Sequence, residues 1–358
     1  MNRSDRSLPI LRGRGAGMDL PNRFERLHTV LESGEYEDAP GHRRTQYHRD
    51  PARSVLTRND SPDVGFDWSL NPYRGCEHGC VYCYARLTHE YLGFSAGLDF
   101  ESRILIKEEA ARLLEAHLAR RTWHPVPIVM SGVTDPYQPV EREVGVTRRC
   151  LEVLTRTRHP VAIITKSRGV ERDADLLGEL AGYGAAHVTL SITTLNRRLQ
   201  RALEPRASPP EHRLEAIGAL TRAGIPVAVN VAPVIPGLTD HEIPAILEAA
   251  ANAGAVAAGY VMLRLPGTVA PLFLEWLHAH LPDRAGKVRS RLEQLRGGRL
   301  NDPAFGSRMR GEGPFARQVA DLFRVARTRA GLHPRMPPLS GKHFRRPLAR
   351  GSGQLSLF

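Results

Sequence analysis

At 358 residues and 41% hydrophobic side chains, the chain has enough apolar material for one large domain or two modest ones, which excludes a fold held together by a metal alone. Fifty Lys and Arg against 38 Asp and Glu leave a net charge of +12, which draws the chain toward polyanions, nucleic acid first and an acidic membrane surface second. No apolar run is long enough to span a bilayer, and four cysteines without a secretion signal point to a reducing cytoplasm. An arginine- and alanine-rich composition also follows from a high-GC genome, so charge alone does not name the partner.

Residues 1–61 read as a basic N-terminal extension in which Arg12, Arg14, Arg23, Arg26, Arg43, Arg44 and Arg49 alternate with Gly, Asp and Pro. That pattern offers little core. Gly13 to Gly17 and Asn22 to Glu25 have the residue types to touch phosphate through arginines and free N–H groups, while the composition is equally that of a disordered tail.

Over residues 62–282 short apolar runs alternate with amphipathic stretches, the mark of β/α units around a parallel sheet. Strands are expected at Gly65 to Leu70, Ile104 to Ile106, Pro127 to Met130, Val161 to Thr165, His187 to Ile192, Pro226 to Val231 and Ala257 to Leu263. Helices are expected at Glu108 to Arg120, Thr147 to Thr157, Ala174 to Ala181, Pro210 to Ala223 and Asp240 to Ala253. In such architectures the working residues lie at the carboxyl ends of the strands.

The densest chemistry lies in Ser69-Leu-Asn-Pro-Tyr-Arg-Gly-Cys76-Glu-His-Gly-Cys80-Val-Tyr-Cys83-Tyr-Ala-Arg86, which holds three of the four cysteines. A four-iron cluster ordinarily takes four thiolates, so three leave one iron open to a chelating small molecule. Structural zinc with His78 or His89 as fourth ligand competes with this reading, but zinc sites usually join two short ligand hooks across a longer loop and no second hook follows.

The C-x3-C-x2-C spacing, with aromatic Tyr82 before the last cysteine, resembles the signature of the radical S-adenosylmethionine (SAM) superfamily. That resemblance implies a partial (β/α) barrel, a 4Fe-4S cluster on Cys76, Cys80 and Cys83, SAM chelated at the open iron, and an external electron donor. Reductive cleavage of SAM then yields a 5'-deoxyadenosyl radical that abstracts hydrogen from a substrate. It further implies a SAM amino-group site near Gly132, Thr134 and Asp135, although the usual Gly-Gly-Glu wording is absent. Ser191 and Thr193, on the polar face of one strand end, suit a ribose or a solvated edge equally. Arg206 suits the methionine carboxylate, a substrate phosphate or a surface ion pair, and Val234 suits the adenine or ordinary core packing.

The wording Asn71-Pro-Tyr-Arg-Gly-Cys, Thr134-Asp-Pro-Tyr-Gln-Pro, Leu203-Glu-Pro-Arg and Ala232-Pro-Val-Ile-Pro-Gly resembles the branch related to spore photoproduct lyase. That lyase acts on a thymine dimer in DNA and uses a thiol hydrogen donor. Cys150 is the remaining cysteine here, either such a donor or a small apolar side chain of the core.

Residues 283–350 form a basic helical region, expected to cover the barrel mouth or to present a solvated cationic face. The tail, 351–358, carries Gln354, Leu355, Leu357 and Phe358 in a Q-L-x-L-F arrangement similar to the bacterial sliding-clamp binding peptide. Together these features imply a cytoplasmic α/β enzyme of partial-barrel type with basic N- and C-terminal extensions. It acts on nucleic acid, DNA before RNA, in DNA repair. RNA modification, perhaps of tRNA, and a clamp-associated DNA-binding protein with a structural or redox-sensing cluster remain the alternatives.

Overall fold

The computed structural model describes residues 13–24 and 43–348. Among them are ten strands: β1 (Gln46–Arg49), β2 (Leu56–Arg58), β3 (Trp68–Leu70), β4 (Tyr73–Arg74), β5 (Arg103–Ile106), β6 (Ile128–Met130), β7 (Val161–Thr165), β8 (Ala186–Ser191), β9 (Val227–Val234) and β10 (Ala257–Met262). The main sheet runs β10-β9-β8-β7-β6-β3-β2, parallel throughout except for β2, which pairs antiparallel with β3 at the edge. Its strands are nearly continuous Val, Ile and Ala because helices cover the sheet, leaving little wet surface that would call for polar alternation.

The helices that return the chain between strands are α1 (Ala110–Leu118), α2 (Val146–Thr157), α3 (Ala174–Gly182), α4 (Arg197–Leu203), α5 (Pro210–Arg222) and α6 (Ile243–Asn252). After β10 follow α7 (Val269–His280), α8 (Pro282–Leu295) and α9 (Gly313–Arg329). Each crossover helix turns its apolar stripe inward, as α6 does with Ile243, Ile246, Leu247 and Ala250. The result is the open (β/α) barrel that the alternation implied.

Three features depart from the sequence pattern. The strand expected at Ile104 is not part of the barrel: β5 pairs with β1 and β4 in a separate three-stranded sheet. Helix α9, expected over the mouth or as a solvated cationic face, packs on the flank against α6, with Phe323 against Tyr260 of β10 at 4.6 Å between ring centroids. Residues 13–17 are built into the fold, with Ala16 buried against Leu98 and Leu272, and Gly15 and Ala16 N–H donating to the Glu101 carboxylate at 2.9 and 2.8 Å. Backbone donors meeting a buried carboxylate leave no hydropathy signal. Gln354, Leu355, Leu357 and Phe358 lie outside the described residues.

One core group fixes a pH dependence. His159 is fully buried; its Nε2 accepts from the Trp123 indole N–H at 3.0 Å, leaving the proton on Nδ1 beside the Pro160 carbonyl at 3.1 Å. Burial depresses its pKa from 6.5 to about 4. Between those values the unfolded chain binds more protons than the folded one, so stability falls as pH drops through that window. Urea unfolding at pH 7 and pH 4.5 should show His159→Gln losing about 2 kcal/mol less over the interval than the parent. An unchanged difference would remove His159 as the cause.

Candidate functional site

The three-cysteine loop follows β3 by way of the two-residue β4, and β6, the partner of β3, ends at the same level, Leu70 opposite Met130. Two glycines in left-handed conformations let it double back. At Gly75 a Cβ would lie 2.9 Å from the Arg103 carbonyl, and at Gly79 it would lie 2.7 Å from Glu101 Oε2. Cys76 N–H donates to the Phe100 carbonyl at 2.8 Å, and Cys83 N–H to the Cys80 carbonyl at 3.2 Å. Fully buried Arg86 clamps the loop from beneath, donating to the carbonyls of Cys80 at 3.0 Å and Gly97 at 2.8 Å and pairing with Glu101.

Cys76 and Cys80 are buried and Cys83 half-buried. Burial pushes all three thiols up, reinforced by the Asp135 carboxylate at Cys76 and the Glu204 carboxylate at Cys80, so bound cationic iron is what would ionise them. Among the described residues no three His, Cys, Asp or Glu side chains converge tightly enough to hold one metal ion. Three thiols in one loop suit a four-iron cluster with one open iron, whereas a closed zinc site needs a fourth protein ligand. The histidines of the zinc alternative are engaged elsewhere. His78 Nδ1 lies 3.3 Å from Asp135, and His89 Nε2 lies 3.0 Å from the Arg103 carbonyl.

Beside the loop, one buried carboxylate gathers three strand ends. Glu204 takes Lys166 Nζ at 3.1 Å and Thr193 Oγ1 at 2.6 Å, and also accepts from the Tyr82 hydroxyl and the Arg213 guanidinium. Lys166 follows β7, Thr193 follows β8, and Lys166 also donates to the Ala232 carbonyl of β9 at 2.8 Å. Tyr82 carries the network into the cysteine loop. Burial opposes the charge on Glu204, yet Arg213 and Lys166 hold its carboxyl well below the usual carboxylate range.

The expected site residues separate into two groups. Gly132, Thr134, Asp135, Ser191 and Thr193 meet the cysteines at the carboxyl edge. Asp135 accepts from Thr165 Oγ1 and Lys166 N–H, both at 2.7 Å, and pairs with His78; burial opposes ionisation, but His78 and these donors keep its pKa lowered. Thr134 donates its N–H to Asn71 at 3.2 Å, and the Gly132 carbonyl accepts from the Tyr84 hydroxyl. Buried Ser191 offers its carbonyl to Arg213 at 2.7 Å.

Val234 and Cys150 lie in the core, while Arg206 sits against the cysteine loop, its N–H donating to the His78 carbonyl at 3.3 Å. The Arg206 guanidinium is already paired with Glu77 at 3.2 Å. Val234 has no exposed surface and belongs to the main core. Cys150 is also sealed in that core on α2, its thiol pushed up to about 12 by burial and Glu141.

The sequence offers Lys166 only within the strand-end segment Thr165-Lys-Ser-Arg168 and Glu204 only within the Leu203-Glu-Pro-Arg wording, gives neither an individual role, and does not point to Arg264. Lys166 directly follows β7, and Glu204 caps the carboxyl end of α4. Arg264 lies two residues beyond β10, its guanidinium 5.6 Å from the ring of half-exposed Tyr84, and its buried Nε has no hydrogen-bond partner. Burial lowers its pKa.

A parallel β/α array with a three-thiol loop and a charged network at its carboxyl edge has the architecture of an iron–sulfur enzyme. Residues 70–250 match the Radical SAM superfamily, and the chain belongs to it. Membership implies an iron–sulfur cluster and S-adenosylmethionine. An uncharacterised protein of Mycobacterium tuberculosis is 32% identical over 82% of this chain and 84% of its own length. A radical SAM Nalpha-GlyT isomerase of Pseudomonas phage M6 is 25% identical over 48% of this chain and 34% of that protein. Spore photoproduct lyase, solved with a dinucleoside spore photoproduct, superposes with a TM-score of 0.56 at 16% identity, covering 80% of each chain. Among the described residues no helix is long and apolar enough to cross a membrane.

Proposed function

We propose that Cys76, Cys80 and Cys83 hold a 4Fe-4S cluster, that SAM binds between it and the Lys166–Thr193–Glu204 network, and that the enzyme acts on a nucleic acid, DNA before RNA, in repair. The observation that carries the first part is the loop itself: three free thiols, two buried and one half-buried, within eight residues at the carboxyl edge of a parallel sheet. When bound, the cluster and SAM supply one-electron reductive cleavage of the sulfonium and abstraction of a substrate hydrogen.

The chain's own groups bind, orient and shield. Lys166 spends its three N–H donors on Thr193, Glu204 and the Ala232 carbonyl and so fixes the three strand ends against one another, and Asp135 keeps the segment after β6 fixed against the end of β7. The apolar layer around Cys80 and Tyr82 excludes water. Tyr84, next to Cys83 in the chain, and Arg264 over its ring offer an aromatic face and a cation with no carboxylate partner among the described residues, a combination suited to a base and its phosphate. The net charge and the dinucleoside held by a structure of the same fold support a nucleic-acid substrate.

Anaerobic reconstitution tests this reading. With reductant and SAM, wild type should form 5'-deoxyadenosine, and Cys76/Cys80/Cys83→Ala should fall to background. Single-stranded DNA, duplex DNA and RNA are then added in parallel. Binding of none of them at low salt would remove the nucleic-acid assignment, and wild type equal to the triple variant would remove the cluster chemistry.

A further inference from the structure

On the outside of the layer that carries Cys80, a cavity of about 820 Å³ opens between α4, the segment after β9, α7 and α8. Leu199, Ala202, Leu238 and Trp276 line it and belong to the same apolar cluster as Cys80 and Tyr82, which do not reach it. Four cations, Arg198, Arg284, Lys287 and Arg291, face two carboxylates, Asp240 and Glu242. Glu242 is engaged, accepting from Thr194 Oγ1 at 2.6 Å and Leu195 N–H at 2.7 Å.

On α8 the cations are sorted by face. Arg289, on the solvent side, is neutralised by Glu293 at 2.9 Å. Arg284, Lys287 and Arg291 form one helical stripe beside the buried Ala285, Val288 and Leu292, and among the described residues no ion pair joins them to a carboxylate. The stem of Lys287 lies across Gly237, where a Cβ would meet its Cγ at 3.4 Å.

A continuous chain of short contacts joins Cys80 to this cavity. Val81, bonded to Cys80, donates its N–H to the Leu203 carbonyl at 3.1 Å. The next carbonyl along α4, that of Ala202, accepts from the Trp276 indole N–H at 3.0 Å. Trp276 stacks on His280 with ring centroids 5.0 Å apart and planes at 19°, and His280 lines the cavity.

We infer that this cationic cavity is the docking site of an acidic one-electron carrier protein and that the Trp276–Ala202–Leu203–Val81 contacts form its electron route to Cys80. The inference rests on the proposed cluster on Cys80. In the transfer the reduced carrier is oxidised by one electron and the cluster is reduced by one. Charge complementarity selects an acidic surface, and the route ending in the cavity favours a redox protein over a nucleic-acid strand, which the same cations would also attract.

The test uses cluster-loaded full-length protein and an acidic flavodoxin. Arg284→Glu/Lys287→Glu should weaken flavodoxin binding by anisotropy and slow cluster bleaching by flavodoxin hydroquinone by about ten-fold or more at low salt, with a flatter salt dependence. Reduction by dithionite should be unchanged. Trp276→Phe, which keeps an aromatic ring and removes the indole donor, should slow reduction even at saturating flavodoxin, where affinity no longer limits the rate. Wild-type binding and bleaching rates in the charge-reversed variant would overturn the inference, as would an effect confined to oligonucleotide binding. If dithionite-reduced wild type fails to cleave SAM, the functional reading falls separately.

Discussion

Glu204→Ala is expected to lower the unfolding free energy by about 3–5 kcal/mol and to cut 5'-deoxyadenosine formation by more than ten-fold. The carboxylate has no exposed surface, and its partner Arg213 is 1% exposed, so removing it leaves a buried guanidinium without a counter-charge. Lys166 loses an anchor at the same time, and with it the fixed position of a cation between three strand ends. Glu204→Gln keeps the shape and one acceptor oxygen and should recover part of the stability but less of the activity, because a neutral amide cannot balance two cations and turns an NH2 donor toward groups that themselves donate. Because the folded pKa is depressed, the ionised form's contribution is complete above about pH 4.5 and is lost as pH falls further. Urea denaturation and product assays on the two variants check this; an alanine variant with the parental midpoint would refute the structural role.

Much of this architecture is legible in the chain itself. Continuous apolar runs such as Val161 to Thr165 and the helices between them set the sheet, and the cysteine spacing sets the loop. The limits have physical causes. Ile104 to Ile106 has the composition of any buried strand, and composition does not say which sheet a strand joins, so β5 reads as a barrel member until its pairing with β1 is seen. Cys150 carries the same thiol as its three relatives, and only its place on the inward face of α2 separates it from the site. Glu204 and Arg213 are nine residues apart with no motif between them; their pairing depends on α4 and α5 folding back over the strand ends.

Glycine spacing is equally silent about what lies opposite. Gly15 sits so close to the cysteine loop that a Cβ there would fall 1.7 Å from the Gly79 carbonyl oxygen, and its N–H meets Glu101, the partner of Arg86. The N-terminal strap, the helix around Glu101 and the cysteine loop are therefore joined through one buried ion pair with no exposed surface on either side chain.

That pair sets the second large effect. Arg86→Met should destabilise the protein by about 3–5 kcal/mol, since it strands the Glu101 charge in the core and leaves the carbonyls of Cys80 and Gly97 without their donor. Iron bound per chain after reconstitution should fall with it, because the backbone that spaces Cys80 from Cys83 is no longer held from below. Arg86→Met/Glu101→Gln separates the two contributions. Removing the stranded charge should restore much of the stability, while the unsatisfied carbonyls should keep iron loading low. The cost of the double variant should therefore be smaller than the sum of the singles. Additive losses in urea midpoint would mean that Arg86 and Glu101 act independently, and full iron loading in Arg86→Met would mean that the clamp does not shape the cluster loop.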